Sequence, residues 1–160
     1  MNKVTVKQNF ALGLGSNLGH SELIIDDAIT KLKLAGVQNI ICADLIKSKP
    51  VDCVAGTPDF TNTALIGYWD KTAEALLGVC QNIEIELGRP TIHAQNESRT
   101  IDLDILLFDK QLVSTPQLTL PHPRMHQRLF VLKPLNQIAP NWIIPKMGSV
   151  QDTLNLATQI

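Results

Sequence analysis

Two segments of the chain repeat apolar residues every three or four positions, which is the spacing of one face of an α-helix. The first spans residues 21–35 and is followed by Gly36, and the second spans residues 71–87 and is followed by Gly88. Glycine directly after a helix is typical of its C-terminal end. Asp70 is the candidate N-cap of the second helix. The predicted stripes consist of Ile25, Ala28, Ile29 and Leu32, and of Ala73, Leu76, Leu77, Cys80, Ile83 and Leu87.

Shorter apolar segments between and after these helices have the composition of β-strands. Strands are predicted for residues 10–14, 39–48, 60–68 and 100–108, with a turn at Asp109-Lys110. The order β-α-β-β-α-β is typical of a ferredoxin-like α+β sandwich, in which helices cover one face of an antiparallel sheet. Another small α/β arrangement stays open as the alternative.

Proline, glycine and polar residues without a period predict loops at residues 50–58, 89–98 and 114–127. From about residue 129 the chain is predicted to form short helical or irregular pieces, broken at Pro134, Pro140 and Pro145. A length of 160 residues suits one core, so residues 1–160 are predicted to form a single domain.

Composition and charge exclude several classes of protein. The net charge of −1 provides no overall field that would attract nucleic acid or an acidic membrane surface. The first ten residues lack the apolar core of a signal peptide, and no apolar run reaches the ~18 residues of a membrane helix. Three widely spaced cysteines, Cys42, Cys53 and Cys80, form neither a zinc pattern nor a disulfide framework. We therefore expect a cytoplasmic protein with reduced thiols.

The basic residues are unevenly distributed along the chain. All four arginines and three of the four histidines fall between residues 89 and 128. Arginine matches phosphate through its planar set of donors, so the cluster indicates a local anion site, although four arginines are few enough to cluster by chance. The cluster consists of Arg89, Arg99, Arg124, Arg128, His93, His122 and His126.

Two carboxylates stand two positions apart in the predicted strand 100–108. Residues with this spacing point to the same face of a strand, so Asp102 and Asp104 project together while Leu103 projects the other way. Such a pair can bind one Mg²⁺, or two close together, and magnesium often completes its shell with substrate phosphates. The alternative is an amphipathic strand with a solvated face.

The glycine-rich segment at residues 13–19 separates the first strand from the first helix. A dinucleotide-binding fingerprint requires glycine where this chain has Leu18, and the lysine of a phosphate-binding P-loop is also missing. A tight turn is the simpler interpretation.

In the predicted strand 60–68, Phe60 and Asn62 provide an aromatic face and an amide that together can bind a flat heterocycle. Strand aromatics are, however, more often part of a core.

Taken together, these motifs resemble the 6-hydroxymethyl-7,8-dihydropterin pyrophosphokinase family across nearly the whole chain. The matching segments are short but stand in the order of the family. They are GSNLG at 15–19, P-x-F-x-N at 58–62, I-E-x-x-L-G-R at 83–89, RTIDLDILLF at 99–108 and LPHPRMHQR-x-FVL-x-PL at 120–135.

The resemblance implies a ferredoxin-like fold, a monomer, and transfer of pyrophosphate from ATP to the pterin with the help of two Mg²⁺ ions. Asp102 and Asp104 correspond to the magnesium ligands and, with Arg99, to the catalytic set. Asn62 corresponds to the residue that binds the pterin, and Phe60 and Phe130 to the rings that stack on it. The positions on the nucleotide side are Gln81, Glu84, Arg99, Ile105, Thr119, His122 and Arg128.

The chain departs from the family pattern in the predicted loop over ATP. Asn96-Glu97-Ser98 stands where many members have Trp-Gly-Pro, and Thr91 stands where a second arginine is common. Residues 49–56 also depart from the usual pterin loop. Two alternatives to an active pyrophosphokinase therefore stay open. One is a non-catalytic relative that binds pterin or nucleotide under a degraded lid, and the other is a metal-dependent phosphohydrolase.

Overall fold

The computed structural model describes residues 7–18, 20–49, 55–56, 58–88 and 101–159. Arg99, the predicted loop 89–98 and most of the predicted loop 50–58 lie outside these residues. None of the described helices is long and apolar enough to cross a membrane. The elements are β1 (Gln8–Ser16), α1 (Ser21–Leu34), β2 (Gln38–Cys42), β3 (Ile46–Ser48), β4 (Phe60–Trp69), α2 (Ala73–Glu86), β5 (Asp102–Phe108), β6 (Val113–Ser114), β7 (Thr119–Leu120), α3 (Leu129–Ile138), β8 (Ile143–Ile144), β9 (Gly148–Ser149) and α4 (Val150–Ala157), with a 3-10 turn at Met125–Gln127.

The main sheet is antiparallel, with its long strands in the order β2-β4-β1-β5. The short strand β3 pairs with β4 along the same edge as β2. Because α1 connects β1 to β2 and α2 connects β4 to β5, the arrangement is the predicted βαββαβ sandwich, and the α+β prediction is confirmed. The predicted continuous strand 39–48 is in fact two strands, which pair with different halves of β4.

Apolar side chains lie on both faces of the sheet. Alternate strand residues such as Leu12 and Leu65 pack under α1 and α2, in one core. Their neighbours Ala11 and Ala64 belong to a second core with α3 and α4 on the opposite face, where the sequence predicted only short helical or irregular pieces. The predicted break at Pro134 was wrong, because this proline is buried inside α3. Burial of the leucines on α3, at ~1.5–3 kcal/mol per side chain, offsets the ~3 kcal/mol that an internal proline costs.

Several local boundaries differ from the predictions. Strand β1 continues to Ser16, beyond the predicted end at residue 14. Helix α2 is capped by Thr72, whose side chain accepts a hydrogen bond from the N–H of Ala75, so the assignment of Asp70 as N-cap was wrong. The predicted loop 114–127 contains most of the β6–β7 hairpin and the 3-10 turn. The predicted helix ends are confirmed, since Gly36 and Gly88 have φ of 110° and 107°.

Candidate active site

The three strands β4, β1 and β5 bring polar groups together on the face of the sheet that lies opposite α1 and α2. In the register of the sheet, Asp102, Gly15 and Asn62 form one row, and Asp104 lies opposite Gly13 in the adjacent row. Directly opposed residues of antiparallel strands project from the same face. Both carboxylates and the Asn62 amide therefore share this face, which confirms the predicted common orientation of the aspartates.

Gly13 and Gly15 form the surface between these polar groups. Both lie within β1, so the tight-turn interpretation was wrong for Gly15, whereas Gly13 falls inside the predicted strand 10–14. A Cβ on Gly15 would lie 3.0 Å from Oδ1 of Asn62 and 3.7 Å from Cδ1 of Phe60. The glycines thus leave the central strand bare where the neighbouring strands carry functional groups.

An open cavity of about 880 Å³ lies above this bare surface. Its size is within the range of small-molecule sites. One wall consists of β3 and the start of β4, another of the first turn of α3, and a third of the segment that precedes α3. Seven predicted site residues border it: Phe60, Asn62, Asp102, Asp104, His122, Arg128 and Phe130.

Asn62 and two aromatic rings occupy the end of the cavity near β3. Asn62 is only 5% exposed, and its Nδ2 donates a hydrogen bond of 2.6 Å to Oγ of Ser48. This bond orients the amide so that Oδ1 faces the bare strand at Gly15. Phe60 at the start of β4 and Phe130 in the first turn of α3 are half-buried and border the same space.

His122 is held against β5 by its own backbone. Its N–H donates to the carbonyl of Leu106 at 2.9 Å, and its Nδ1 accepts from the backbone N–H of Arg124 at 3.1 Å. Burial, reinforced by the nearby cations of Arg128 and Arg124, lowers the pKa of His122 to about 4. The imidazole is therefore neutral at pH 7 and carries its proton on Nε2, where it is a hydrogen-bond donor.

Arg128 stands at the N-terminus of α3. Its guanidinium lies over the ring of Phe130, with 5.6 Å between Cζ and the ring centroid, which is a cation–π contact. Arg124 also borders the cavity, together with Gln127. Two guanidinium groups and a neutral imidazole donor thus lie around one cavity that also contains two aspartates.

The pair of aspartates fits the requirements of magnesium rather than those of zinc. In the described part of the chain, no group of three or more histidine, cysteine, aspartate or glutamate side chains is placed to hold a metal by itself. Magnesium needs only one or two carboxylates when substrate phosphates and water supply the remaining oxygens. Asp102 and Asp104 form such an oxygen-only donor set in the cavity that Arg124 and Arg128 also border.

Comparison with known proteins identifies the family. Residues 11–140 match the model of the 7,8-dihydro-6-hydroxymethylpterin-pyrophosphokinase (HPPK) family. The chain belongs to this family. It is 39% identical over 128 residues to the 2-amino-4-hydroxy-6-hydroxymethyldihydropteridine pyrophosphokinase of Bacillus subtilis, an alignment that covers 79% of this chain and 75% of that protein. It is 33% identical over 135 residues to the Haemophilus influenzae protein of the same name, with 84% and 83% covered.

Some relatives of this HPPK chain are much longer proteins. It is 36% identical over 137 residues to the folic acid synthesis protein fol1 of Pneumocystis carinii, where the match covers 86% of this chain but 18% of the relative. A crystal structure of wild-type Plasmodium falciparum HPPK-DHPS with pteroate matches 99% of this chain and 44% of its own, at a TM-score of 0.71 and 13% identity. At that identity, the likeness shows the fold alone.

Membership of the HPPK family confirms the resemblance seen in the motifs and, with it, the assignment as an ATP-dependent pyrophosphokinase of folate synthesis.

Some of the predicted nucleotide-binding residues lie away from the cavity. Gln81 is exposed on α2, and Thr119 is exposed in β7. The side chain of Ile105 is in the core under the helices. Glu84 is buried on α2, where its carboxylate accepts from the N–H of Leu103 at 3.2 Å. Their roles stay predictions, as does that of Arg99.

The sequence interpretation missed four contributions to this candidate site. Gly15 was assigned to a turn and Gly13 to the end of the predicted strand 10–14, and neither was assigned to the site, although their alternation with leucine is a signal of a strand. Ser48 gave no signal, because its bond to Asn62 depends on the pairing of β3 with β4. Arg124 was recognised as part of the basic cluster but was not assigned to the site.

Proposed function

We propose that this chain transfers the pyrophosphoryl group of ATP to the hydroxymethyl oxygen of 6-hydroxymethyl-7,8-dihydropterin, and that residues 1–160 act as a single domain. The products are AMP and the pterin diphosphate that folate synthesis requires. The observation that supports this proposal best is the row Asp102–Gly15–Asn62, which places a candidate metal ligand and a candidate pterin ligand on one bare surface in one cavity.

The pterin binds at the end of the cavity near β3. A flat ring with polar edges is best held between two aromatic faces, with a planar amide opposite its donors and acceptors. Phe60 and Phe130 provide the faces. Asn62 provides the amide, already oriented by Ser48. The specificity for a pterin therefore arises from ring thickness and from the hydrogen-bond pattern of one ring edge.

The triphosphate of ATP binds at the end of the cavity near β5. Asp102 and Asp104 would hold two Mg²⁺ ions, which would neutralise the charge of the phosphate oxygens. Nε2 of His122 donates to a phosphate oxygen, and Arg128 pairs with another. Arg99, just before β5, contributes a further cation. Gln81, Glu84, Ile105 and Thr119 are assigned to the nucleotide side, with Ile105 acting through its main chain.

Catalysis consists mainly of positioning. The pterin hydroxyl oxygen forms a bond to the β-phosphorus of ATP, the bond from that phosphorus to the oxygen bridging to the α-phosphate breaks, and AMP leaves with that oxygen. The hydroxyl proton passes to solvent. In-line geometry and neutralised charge provide most of the acceleration in phosphoryl transfer, so the protein needs no dedicated general base. We propose that the chain acts as a cytoplasmic monomer.

The direct test is AMP formation from ATP and Mg²⁺, measured with and without 6-hydroxymethyl-7,8-dihydropterin. We expect AMP only when the pterin is present. ATP consumption without pterin would instead identify a phosphohydrolase. Tight binding of pterin and ATP without formation of AMP would identify a non-catalytic relative. The departures from the family pattern at Thr91 and at residues 96–98 would then account for the loss of activity.

A further inference from the structure

A pair of hydrogen bonds joins the segment before β3 to the helix α3. The backbone N–H of Asp44 donates to Oε1 of Gln137, and Nε2 of Gln137 donates to Oδ2 of Asp44, both at 2.7 Å. The two residues are 93 positions apart in sequence, and both are exposed. Both polar atoms of the Gln137 side-chain amide bond to Asp44, so the contact fixes both the distance between the two residues and their relative orientation. One of the two bonds is charge-assisted.

This Asp44–Gln137 clamp connects two walls of the cavity at their outer ends. Strand β3 starts just after Asp44 and ends at Ser48, which borders the cavity and orients Asn62. Helix α3 carries Phe130 in its first turn and Gln137 about two turns later, so the two side chains lie on similar sides of the helix. The clamp therefore holds the β3 wall and the α3 wall at a defined separation.

The other contacts of α3 with the sheet do not provide the same constraint. Its buried residues Leu132 and Leu135 pack in the second core, and apolar burial is non-directional. Strand β3 is tied to β4 by ladder pairing and by a 2.7 Å bond from Nζ of Lys47 to Oγ1 of Thr61. These contacts hold each wall to the sheet. Helix α3 also lies directly against β3, and the clamp adds two directional hydrogen bonds between these walls.

We propose that Asp44 and Gln137 are positioning residues that set the width of the slot between Phe60 and Phe130, and thereby its affinity for a ring one atom thick. The inference rests on the proposed function, which assigns this end of the cavity to the pterin. Ring stacking depends steeply on separation, so a wider slot weakens pterin binding. The aspartates lie across β1 on β5, away from the clamp, and of the proposed phosphate contacts only Arg128 adjoins α3, so ATP binding should change less than pterin binding.

The chain offers a swap experiment. Gln137→Glu replaces the Nε2 donor by an oxygen that faces the Asp44 carboxylate. Asp44→Asn combined with Gln137→Glu restores the pair with the roles exchanged, because the new asparagine amide can donate to the new glutamate carboxylate. We expect the Kd for 6-hydroxymethyl-7,8-dihydropterin, measured by calorimetric titration, to rise about fivefold in Gln137→Glu and to return to within twofold of wild type in the double variant. The KM for ATP should stay within twofold throughout.

A matched control is available on α4. Gln151 is also an exposed glutamine, whose Nε2 donates to Oδ1 of Asn155 at 3.1 Å, and it lies outside the cavity. Gln151→Glu should leave the pterin Kd and the ATP KM unchanged.

The proposal is overturned if Gln137→Glu binds pterin like wild type, if the double variant does not recover the wild-type pterin Kd, or if the pterin Kd and the ATP KM change by the same factor. Wild-type protein that binds pterin but forms no AMP would refute the proposed function while leaving the clamp testable by Kd. Wild-type protein that binds no pterin would overturn both.

Discussion

Replacing Gly15 by alanine tests whether the bare strand between the carboxylates and the amide is required for binding. The new Cβ would lie 3.0 Å from Oδ1 of Asn62, so that amide must move by a few tenths of an ångström. Asn62 cannot turn away without cost, because its Nδ2 is held by Ser48 at 2.6 Å. The substitution therefore sacrifices either the orienting bond to Ser48 or the contact of Oδ1 with the pterin.

The magnitude follows from the loss of about one hydrogen bond. A neutral hydrogen bond contributes ~1–1.5 kcal/mol, so the KM for the pterin should rise roughly 5- to 10-fold in Gly15→Ala. Stability should respond differently. Alanine in a strand avoids the entropic cost of glycine, worth ~0.5–1 kcal/mol, which offsets the strain at Asn62. The free energy of unfolding should thus stay within about 1 kcal/mol of wild type.

The assay is steady-state AMP formation with pterin and ATP varied separately, combined with urea unfolding. Gly78→Ala is the matched control, because a Cβ at this position in α2 meets no atom within 4 Å beyond its chain neighbours and the adjacent backbone of the helix. It should raise stability by ~0.5–1 kcal/mol and leave both KM values unchanged. An unchanged pterin KM in Gly15→Ala, or a loss of stability large enough to explain the kinetics, would refute the reasoning.

Three further predictions address the metal, the histidine and a helix cap. Asp102→Asn should lower kcat at least ~100-fold with an unchanged circular dichroism spectrum, and wild-type-like turnover would contradict the metal assignment. Because the pKa of His122 is lowered from 6.5 to about 4, the unfolded chain binds more protons between these values. The free energy of unfolding should therefore fall as the pH drops from 6.5 towards 4. His122→Gln should lose less stability than wild type between pH 7 and pH 5 in urea titrations, and an equal loss would contradict the lowered pKa. Thr72→Ala should cost ~1 kcal/mol of unfolding free energy with unchanged KM values, whereas an equal or larger cost in Asp70→Ala would restore the cap to Asp70.

The helices α1 and α2 could be predicted because their signals are local. Apolar spacing and a terminal glycine depend on neighbours along the chain, and both signals survive in the fold. The N-cap was misassigned because Asp70 and Thr72 are both good caps within one turn, and only the backbone conformation distinguishes them. Helix α3 was predicted only as short helical or irregular pieces broken at Pro134, because proline argues against a helix locally, while the buried leucines of α3 act through tertiary contacts.

The candidate site could be predicted as a set of motifs but not as an arrangement. The shared face of Asp102 and Asp104 follows from the period of a strand and was predicted. The row that joins Asp102 to Asn62 depends on which strands pair and in which register, and no local signal contains that information. The same holds for the Asp44–Gln137 clamp, whose partners are 93 residues apart.

The sequence nevertheless contains a signal for the floor of the cavity, in the alternation of leucine and glycine along β1. Leu12 and Leu14 are buried under the helices, while Gly13 and Gly15 face the cavity. β1 is a central strand, paired on both sides, so its glycines cannot serve to protect a sheet edge. In a central strand, large apolar residues that alternate with glycine indicate that one face of the strand is packed and that the other face carries no side chains. Polar residues on both neighbouring strands then indicate that the open face binds a ligand rather than another layer of the core.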